Sequence, residues 1–507
     1  MRASALDPAG APPAGTTPPA GTSDPSQLAS GSPLRLRRLD LASTDRADVS
    51  ERDALCRRGA VPDEAVRAGA RSVVADVRAR GAIAVREANE RFGGGLADGR
   101  LVVERGELRA ARDRLVAADR RALDQAIDHV TSFAFPQRPT STTTTVIPGI
   151  EIARRWLPLD RIGCYVPGGS APYPSSLVMT VVPARVAGVA EIVVASPAGP
   201  DGTINPVLAG AAGLLDVDAL IAAGGAQAIA ALALGLPDDR PPLHPVDRIV
   251  GPGNAWVTAA KLEVAGLVGI DVPAGPSEGM VLADADADPL LVAADLVTQA
   301  EHGPDSPAIL VTTSAHLAEA VEREIGALLA RLERAEILRR ALATHGRIAL
   351  AADLDEAIAF VDAYAPEHLS IDVRDPDAAA ARIRHAGSIF VGPWAPESAG
   401  DYATGANHVL PTGGLARSSD PLGVEAFGRW TQVQRVDREG LAAIRETVGR
   451  LATAEGLTAH RHAIEVRFRA DRVGSGEPGD PPPPPGEARA GPGNAATTTD
   501  TAPARSA

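Results

Sequence analysis

The sequence predicts an α/β fold in which a mostly parallel sheet is covered by helices. Three observations carry this. From about Ile147, short β-rich runs alternate with Ala-rich helical stretches. Four of those runs, Arg161 to Val166, Ala190 to Ala195, Ala219 to Ala222 and Arg248 to Val250, lead into Gly- or Pro-rich turns. A second α/β cycle then begins at Met280. With aromatics at only 3%, the core must be built from Ala, Val, Leu and Ile.

Composition sets the outer bounds. The 507 residues suffice for two or more domains. A net charge of −14 argues against nucleic acid, because neutralising phosphates needs a basic surface. No apolar run approaches the roughly 20 residues that span a bilayer, and the N-terminal stretch carries no apolar signal core. Cys56 and Cys164 form neither a metal-type pair nor a disulfide framework. A cytoplasmic setting without membrane partners is expected.

Residues 1–33 are rich in Ala, Pro, Gly, Ser and Thr and are expected to be disordered, as is the tail 474–507 with its proline run Pro481 to Pro485. Val61 to Phe92 reads as helix interrupted near Gly81, with Pro62-Asp63-Glu64 as its first turn. Glu107 to Phe133 reads as another long helix. In the second cycle, Met280 to Ala283, Ala308 to Thr312 and Ser388 to Val391 read as strands. Leu317 to Ala343 and Leu354 to Ala363 read as helices. Gly392 to Ser419 is a long irregular run of the kind that often carries function. A last helical segment contains Glu455 and His460.

The stretch Pro273 to Ser306 is the chemical centre of the sequence. Its turn carries Ser277 and Glu278, a strand follows, and an amphipathic helix from about Pro289 has Leu290, Leu291, Ala294 and Val297 on its expected buried face. Gly303-Pro304 stops that helix just after Gln299 and His302, which lie three residues apart on one face. An amide oxygen beside an imidazole is half of a metal site, or an ordinary helix end. Asp401 and His460 are candidates for the other half, and such oxygen and nitrogen donors suit zinc. Glu367-His368 offers a proton-transfer pair, or a charged helix terminus. The turns Pro167-Gly168-Gly169, Gly224-Gly225-Ala226-Gln227 and Gly251-Pro252-Gly253-Asn254 let backbone approach a nucleotide, although none is G-x-G-x-x-G.

Nine motifs together resemble the histidinol dehydrogenase family. They are Tyr165-Val-Pro-Gly-Gly169, Gly224-Gly-Ala-Gln-Ala228, Gly251-Pro-Gly-Asn-Ala255, Pro273-Ala-Gly-Pro-Ser-Glu278, Gln299-Ala-Glu-His-Gly-Pro-Asp305, Ala365-Pro-Glu-His-Leu369, Pro396-Glu-Ser-Ala-Gly-Asp-Tyr402, Asn407-His-Val-Leu-Pro-Thr412 and Leu457-Thr-Ala-His460. They occur in family order across about Leu39 to Arg469. Each alone is weak, whereas nine in order are specific.

The resemblance implies two incomplete Rossmann-like domains with parallel-type sheets, plus an N-terminal helical region and a C-terminal helical tail. The implied division is a helical region at 34–146, an NAD-binding domain at 147–272, a domain with the zinc and catalytic residues at 273–420, and a tail at 421–473 exchanged in an intertwined homodimer. It implies oxidation of L-histidinol through the aldehyde to L-histidine by two NAD, with one zinc per subunit. Carried over by motif, the zinc ligands are Gln299, His302, Asp401 and His460 of the partner subunit. His368 resembles the base for the alcohol proton, and Glu367 the group that activates water for the second oxidation. Ser277 and the partner's Glu455 resemble substrate contacts, and the four zinc ligands with Glu367 and His368 complete the substrate site. Tyr165, Gln227 and Asn254 resemble cofactor contacts. An alternative within the superfamily is a zinc- and NAD-linked dehydrogenase of another primary alcohol, such as a sulfonated diol, and a rival of another class is a non-catalytic zinc-binding scaffold.

Overall fold

The computed structural model describes residues 34–168 and 172–468. The expectations of disorder for 1–33 and for 474–507 lie outside the described residues, as does Gly169. Contacts divide the described residues into two compact units, one formed by 34–141 with 155–431 and the other by 142–154 with 432–468.

The larger unit contains two six-stranded sheets of matching design. In the first, the order across the sheet is Val102–Glu104, Ala219–Ala222, Glu191–Ser196, Arg161–Tyr165, Arg248–Val250, Gly269–Ile270. In the second it is Arg37–Asp40, Arg347–Leu350, Ala308–Thr312, Gly279–Ala283, His368–Asp372, Ser388–Val391. Each sheet runs from a central strand outward to one side, then returns to the other side, as in doubly wound folds. All neighbours in the second sheet are parallel, and in the first only Val102–Glu104 is antiparallel. Helices cover both faces, so central strands such as Ile192–Ser196 and Ala308–Val311 are buried throughout, which is why they read as continuous apolar runs.

The N-terminal region is more than a helical layer. Arg37–Asp40 and Val102–Glu104 each extend a sheet at its edge. These strands are short and have no clean apolar alternation, so pairing rather than pattern defines them. The helix Glu64–Arg80, capped by Asp63 accepting from the Val66 amide, is followed by Ala82–Phe92. Val74, Val77 and Val85 from this pair join Ile221, Ile229 and Leu232 in one core.

Two expected long helices are broken. Glu107 to Phe133 is Arg105–Arg112 followed by Ala117–Ala134. The break lets Leu115 close on Gly210, where an added Cβ would stand 2.4 Å from the Leu115 side chain. Leu317 to Ala343 is Ala315–Leu329 followed by Ala335–His345. Folding back brings Leu338, Ala341 and Leu342 into the core that holds Ile325 and Leu329, which one straight rod would not allow. The irregular run contains a short helix, Glu397–Tyr402.

The smaller unit contains residues 142–154 and, from 432 on, the helices Arg438–Ala454 and Thr458–Glu465. Glu455 caps the first of these helices, so the expected single segment is two. A three-stranded sheet orders Gly428–Val436, Ile150–Pro158 and Thr142–Ile147, so the C-terminal part opens on a strand rather than a helix. No described helix is long and apolar enough to cross a membrane.

Close packing of the helix Arg105–Arg112 against the helix Pro206–Leu214 depends on Gly213, where a Cβ would lie 2.0 Å from the Leu108 carbonyl oxygen. Gly213→Ala should destabilise the protein by about 1–3 kcal/mol through overpacking. Gly326→Ala, in a helix with open space around it, should be neutral or stabilising by up to about 1 kcal/mol. Thermal unfolding of the two variants side by side checks both signs.

Candidate active site

The site is built where two parallel strands begin. Gly279 of Gly279–Ala283 is in register with His368 of His368–Asp372. Ser277 and Glu278 immediately precede one strand, and Glu367 precedes the other. The pairing therefore brings residues ninety positions apart in sequence into contact. Ser277 Oγ donates to Glu367 Oε2 at 2.9 Å, and the Glu278 amide donates to the same oxygen at 2.9 Å. Glu367-His368 is thus the entry to a strand, not a charged helix terminus. The preceding helix, Leu354–Tyr364, ends at Ala365 in the left-handed conformation with φ of 54°.

The helix Pro289–Glu301 runs back to the same edge. Its buried face is Val292, Ala293, Leu296, Val297, Gln299 and Ala300. Leu290 and Leu291, expected inside, are 46% and 41% exposed. The helix is rolled so that Gln299 points inward, and its Nε2 lies 3.4 Å from Ser277 Oγ. Gly279 makes room for it, since a Cβ there would stand 2.7 Å from Gln299. His302 follows as the helix C-cap, with Nδ1 3.6 Å from Glu397 Oε1 and Nε2 3.7 Å from Asp401 Oδ2.

His368 lies among these groups. Its Nε2 is 4.0 Å from Asp401 Oδ1, its Nδ1 is 3.6 Å from Glu367 Oε2, and its ring stacks on His302 at a centroid distance of 6.0 Å. Neither ring nitrogen has a hydrogen-bond partner. Burial, aided by the His302 and His408 charges, pushes its pKa down to about 3, so the imidazole is neutral. Burial also raises Glu367 well above the ordinary carboxylate range, with the Glu278 and Asp401 charges adding to the rise. The Glu278 amide and Ser277 hydroxyl oppose that rise by favouring the ionised form.

Two residues of the site had been given no role from sequence. Glu397 is buried and its Oε1 has no hydrogen-bond partner. It lies four positions before Asp401 on one short helix, a spacing that puts both on one face and that the sequence did offer as a signal. His408 is the other. Its Nδ1 donates to the Asp401 carbonyl at 2.9 Å and its Nε2 lies 3.3 Å from Ser176 Oγ. His408 belongs to the quoted Asn407-His motif, but no spacing ties it to Asp401.

The donor set fits a divalent metal. His302, Glu397 and Asp401 each offer a ligand atom, all within 4.8 Å of one another. Gln299 Oε1 is buried without a hydrogen-bond partner beside them. Among the described residues, the ion-pair partners of Glu367, Glu397 and Asp401 are histidines. Three clustered carboxylates with no Lys or Arg partner form a site that a cation would stabilise.

His302, Glu367, His368 and Asp401 line a cleft of about 1880 Å³ that is also lined by the turn Gly251 to Asn254. That turn stands at the carboxyl end of its strand in the first sheet, beside Val166-Pro167-Gly168 at the end of the neighbouring strand. This is the point where the first sheet reverses its strand order, the usual place for a nucleotide. The catalytic candidates stand instead at the amino ends of strands in the second sheet. Asn254 is exposed and caps its helix by accepting from the Trp256 and Val257 amides. Tyr165 and Gln227 are buried, and the Tyr165 hydroxyl accepts from the Gly225 amide at 3.2 Å. Glu455 and His460 lie in the smaller unit, both exposed.

Comparison with known proteins gives a consistent answer. The family model described as Histidinol dehydrogenase matches residues 56–468. A histidinol dehydrogenase of Nocardia farcinica is 47% identical over 443 residues, covering 87% of this chain and 99% of the relative. One of Leifsonia xyli is 49% identical over 403 residues, covering 79% and 92%. The crystal structure of histidinol dehydrogenase from Elizabethkingia anophelis aligns with a TM-score of 0.79 at 33% identity, covering 86% of this chain and 99% of that one. A match of this extent means that the chain belongs to the histidinol dehydrogenase family.

Proposed function

We propose that this protein oxidises L-histidinol to L-histidine in two NAD-linked steps, using one zinc per subunit in a homodimer. The observation that carries the reading is the placement of His368: buried, unpartnered at both ring nitrogens and next to Glu367. An imidazole so placed has a free nitrogen to take a substrate proton. The relatives' names favour histidinol over the sulfonated diol, and the six matched site residues Gln299, His302, Glu367, His368, Asp401 and His460 speak against a non-catalytic scaffold.

Zinc would be held by Gln299, His302, Asp401 and His460 of the partner subunit, where it would act as a template for the substrate's imidazole and amine nitrogens. The partner's Glu455 would receive the substrate ammonium, and Ser277 would contact the substrate beside Glu367. In the first step His368 would take the hydroxyl proton as the carbinol is oxidised to the aldehyde. In the second, Glu367 would take a proton from water as the water oxygen adds to the aldehyde carbon, the former carbonyl oxygen would take up a proton to complete the diol, and oxidation of the diol would release one hydroxyl proton and give the acid. NAD, when bound, would supply the hydride acceptor for each oxidation. The cofactor would lie along Gly251 to Asn254, with Asn254 exposed to it. Tyr165, through its bond to the Gly225 amide, would hold the Gly224 to Gln227 turn in shape. Water supplies the second oxygen and the two cofactors accept the two hydrides, so the reaction balances.

Zinc-replete protein should produce NADH from L-histidinol, lose that activity to a chelator, and recover it with added zinc. Absence of NADH from the replete protein would rule out the assignment. His368→Ala should lower the alcohol step by about 10²–10⁴-fold, the range of general base catalysis. Glu367→Gln should slow aldehyde oxidation more than alcohol oxidation, as followed with each substrate separately, and equal losses would refute the division of roles. His460→Ala and Asp401→Ala proteins, each inactive, should regain activity after subunit exchange. One of the two sites in each mixed dimer is then complete, so about one quarter of wild-type activity is expected in a two-fold symmetric assembly. No recovery would count against ligation across subunits.

A further inference from the structure

Arg58 lies outside every assigned role, yet all five of its N–H donors are used at the base of the site. Its Nε donates to Glu278 Oε2 at 2.7 Å and its Nη2 to Glu278 Oε1. Its Nη1 donates to the carbonyls of Tyr364 at 2.6 Å and Leu55 at 3.1 Å, and its Nη2 also reaches the Ala365 carbonyl at 3.3 Å. The guanidinium stacks on the Tyr364 ring, 3.3 Å from its centroid. Glu278 is almost wholly buried, and it also accepts from the Gly413 amide at 3.1 Å.

These contacts grip the two chain segments that must meet for Glu367 to be held. The backbone of Glu278 donates to Glu367 Oε2, and its carbonyl accepts from the His368 amide at 3.2 Å. Tyr364 and Ala365 lead directly into Glu367, and Ala365 is in a left-handed conformation that an L-residue adopts at some cost. A bidentate guanidinium therefore fixes the donor side through Glu278 and the acceptor side through the Tyr364 and Ala365 carbonyls. We propose that Arg58, through Glu278, is a positioning residue that sets the hydrogen bonds from Ser277 and Glu278 to Glu367, and thereby the water-dependent oxidation of the aldehyde. This rests on the function proposed above. An Arg–Glu pair that served stability alone would have no reason to touch both strand entries.

The test uses the full-length, zinc-replete protein with L-histidinol and L-histidinal as separate substrates. Removing Arg58 alone would strand a buried carboxylate, so the informative variant is Arg58→Met combined with Glu278→Gln, which leaves no orphan charge. It should lower kcat for the aldehyde by about tenfold or more, because small misplacement of a reacting group is costly. The alcohol step should fall by less than about threefold, and KM for NAD should be unchanged, since the hydrogen bonds of both side chains go to the strand entries and not to the Gly251–Asn254 turn. Arg58→Lys, which keeps the charge but not the fork, should restore part of the loss. Equal losses in both steps, or full activity in the double variant, would overturn the proposal. If the wild type oxidises neither substrate, the functional reading fails instead. A crystal structure of the double variant then decides positioning by itself. Ser277 Oγ and the Glu278 amide both still within about 3.5 Å of Glu367, the limit of a hydrogen bond, would overturn it.

Discussion

The parallel pairing of Gly279–Ala283 with His368–Asp372 is the constraint on which the rest of the site depends. In parallel strands the register fixes which strand entries face each other. Here Gly279 faces His368, so the residues just before each strand, Ser277 and Glu278 on one side and Glu367 on the other, bond directly. A one-residue slip would remove both bonds and send His368 to the opposite face. The neighbouring helix respects the same register. It is rolled to bring Gln299 against Ser277, at the cost of leaving Leu290 and Leu291 in solvent.

The two sheets share a topology but use opposite edges. The first offers the carboxyl ends of its strands, where glycine-rich turns and helix N-termini suit a nucleotide. Gly251 illustrates the fit: at φ of 114° its missing side chain would collide with the Tyr165 carbonyl at 2.1 Å. Lys261 and Asp271, both buried, hold that turn from below, with Asp271 Oδ2 accepting from the Gly251 amide at 2.6 Å. The second sheet offers its amino ends, where carboxylates and imidazoles gather. Placing both edges on one cleft gives the Gly251–Asn254 turn and the Glu367–His368 pair a common volume, as the proposed hydride transfer would require.

Much of this arrangement is legible in the sequence, and the limits are physical. Buried parallel strands such as Ala308–Thr312 announce themselves because both faces are apolar. Arg37–Asp40 and Arg347–Leu350 do not, since they are short and partly charged and exist as strands through pairing, the first with the second and the second also with Ala308–Thr312. Ser277, Gln299, His302, Glu367, His368 and Asp401 were all named from sequence, and the fold gathers them in one unit. Motif order carried that, because separations of many tens of residues contain no local geometry. Glu397 could have been found from its spacing to Asp401. His408 and Arg58 could not, because a loop closure and a contact 220 residues distant decide their positions. The reading of Leu290 and Leu291 as core failed because periodicity fixes the shape of a helix but not its rotation, and here a polar residue, Gln299, set that rotation.

The unpaired groups of the site have an energetic meaning. Gln299 Oε1, both nitrogens of His368 and Glu397 Oε1 are buried without hydrogen-bond partners. Each such neutral atom costs about 1–3 kcal/mol, and a charged one more. A fold tolerates this when the surrounding framework is rigid enough to prevent collapse onto the orphaned groups. That framework is apolar sheet on one side and, on the other, the Arg58–Glu278–Tyr364 assembly, in which all five guanidinium donors are used. The fully satisfied cluster and the unsatisfied one are therefore complementary. The first fixes Glu278, the second borrows its backbone amide, and polar atoms in the cleft are kept available for a ligand instead of for one another.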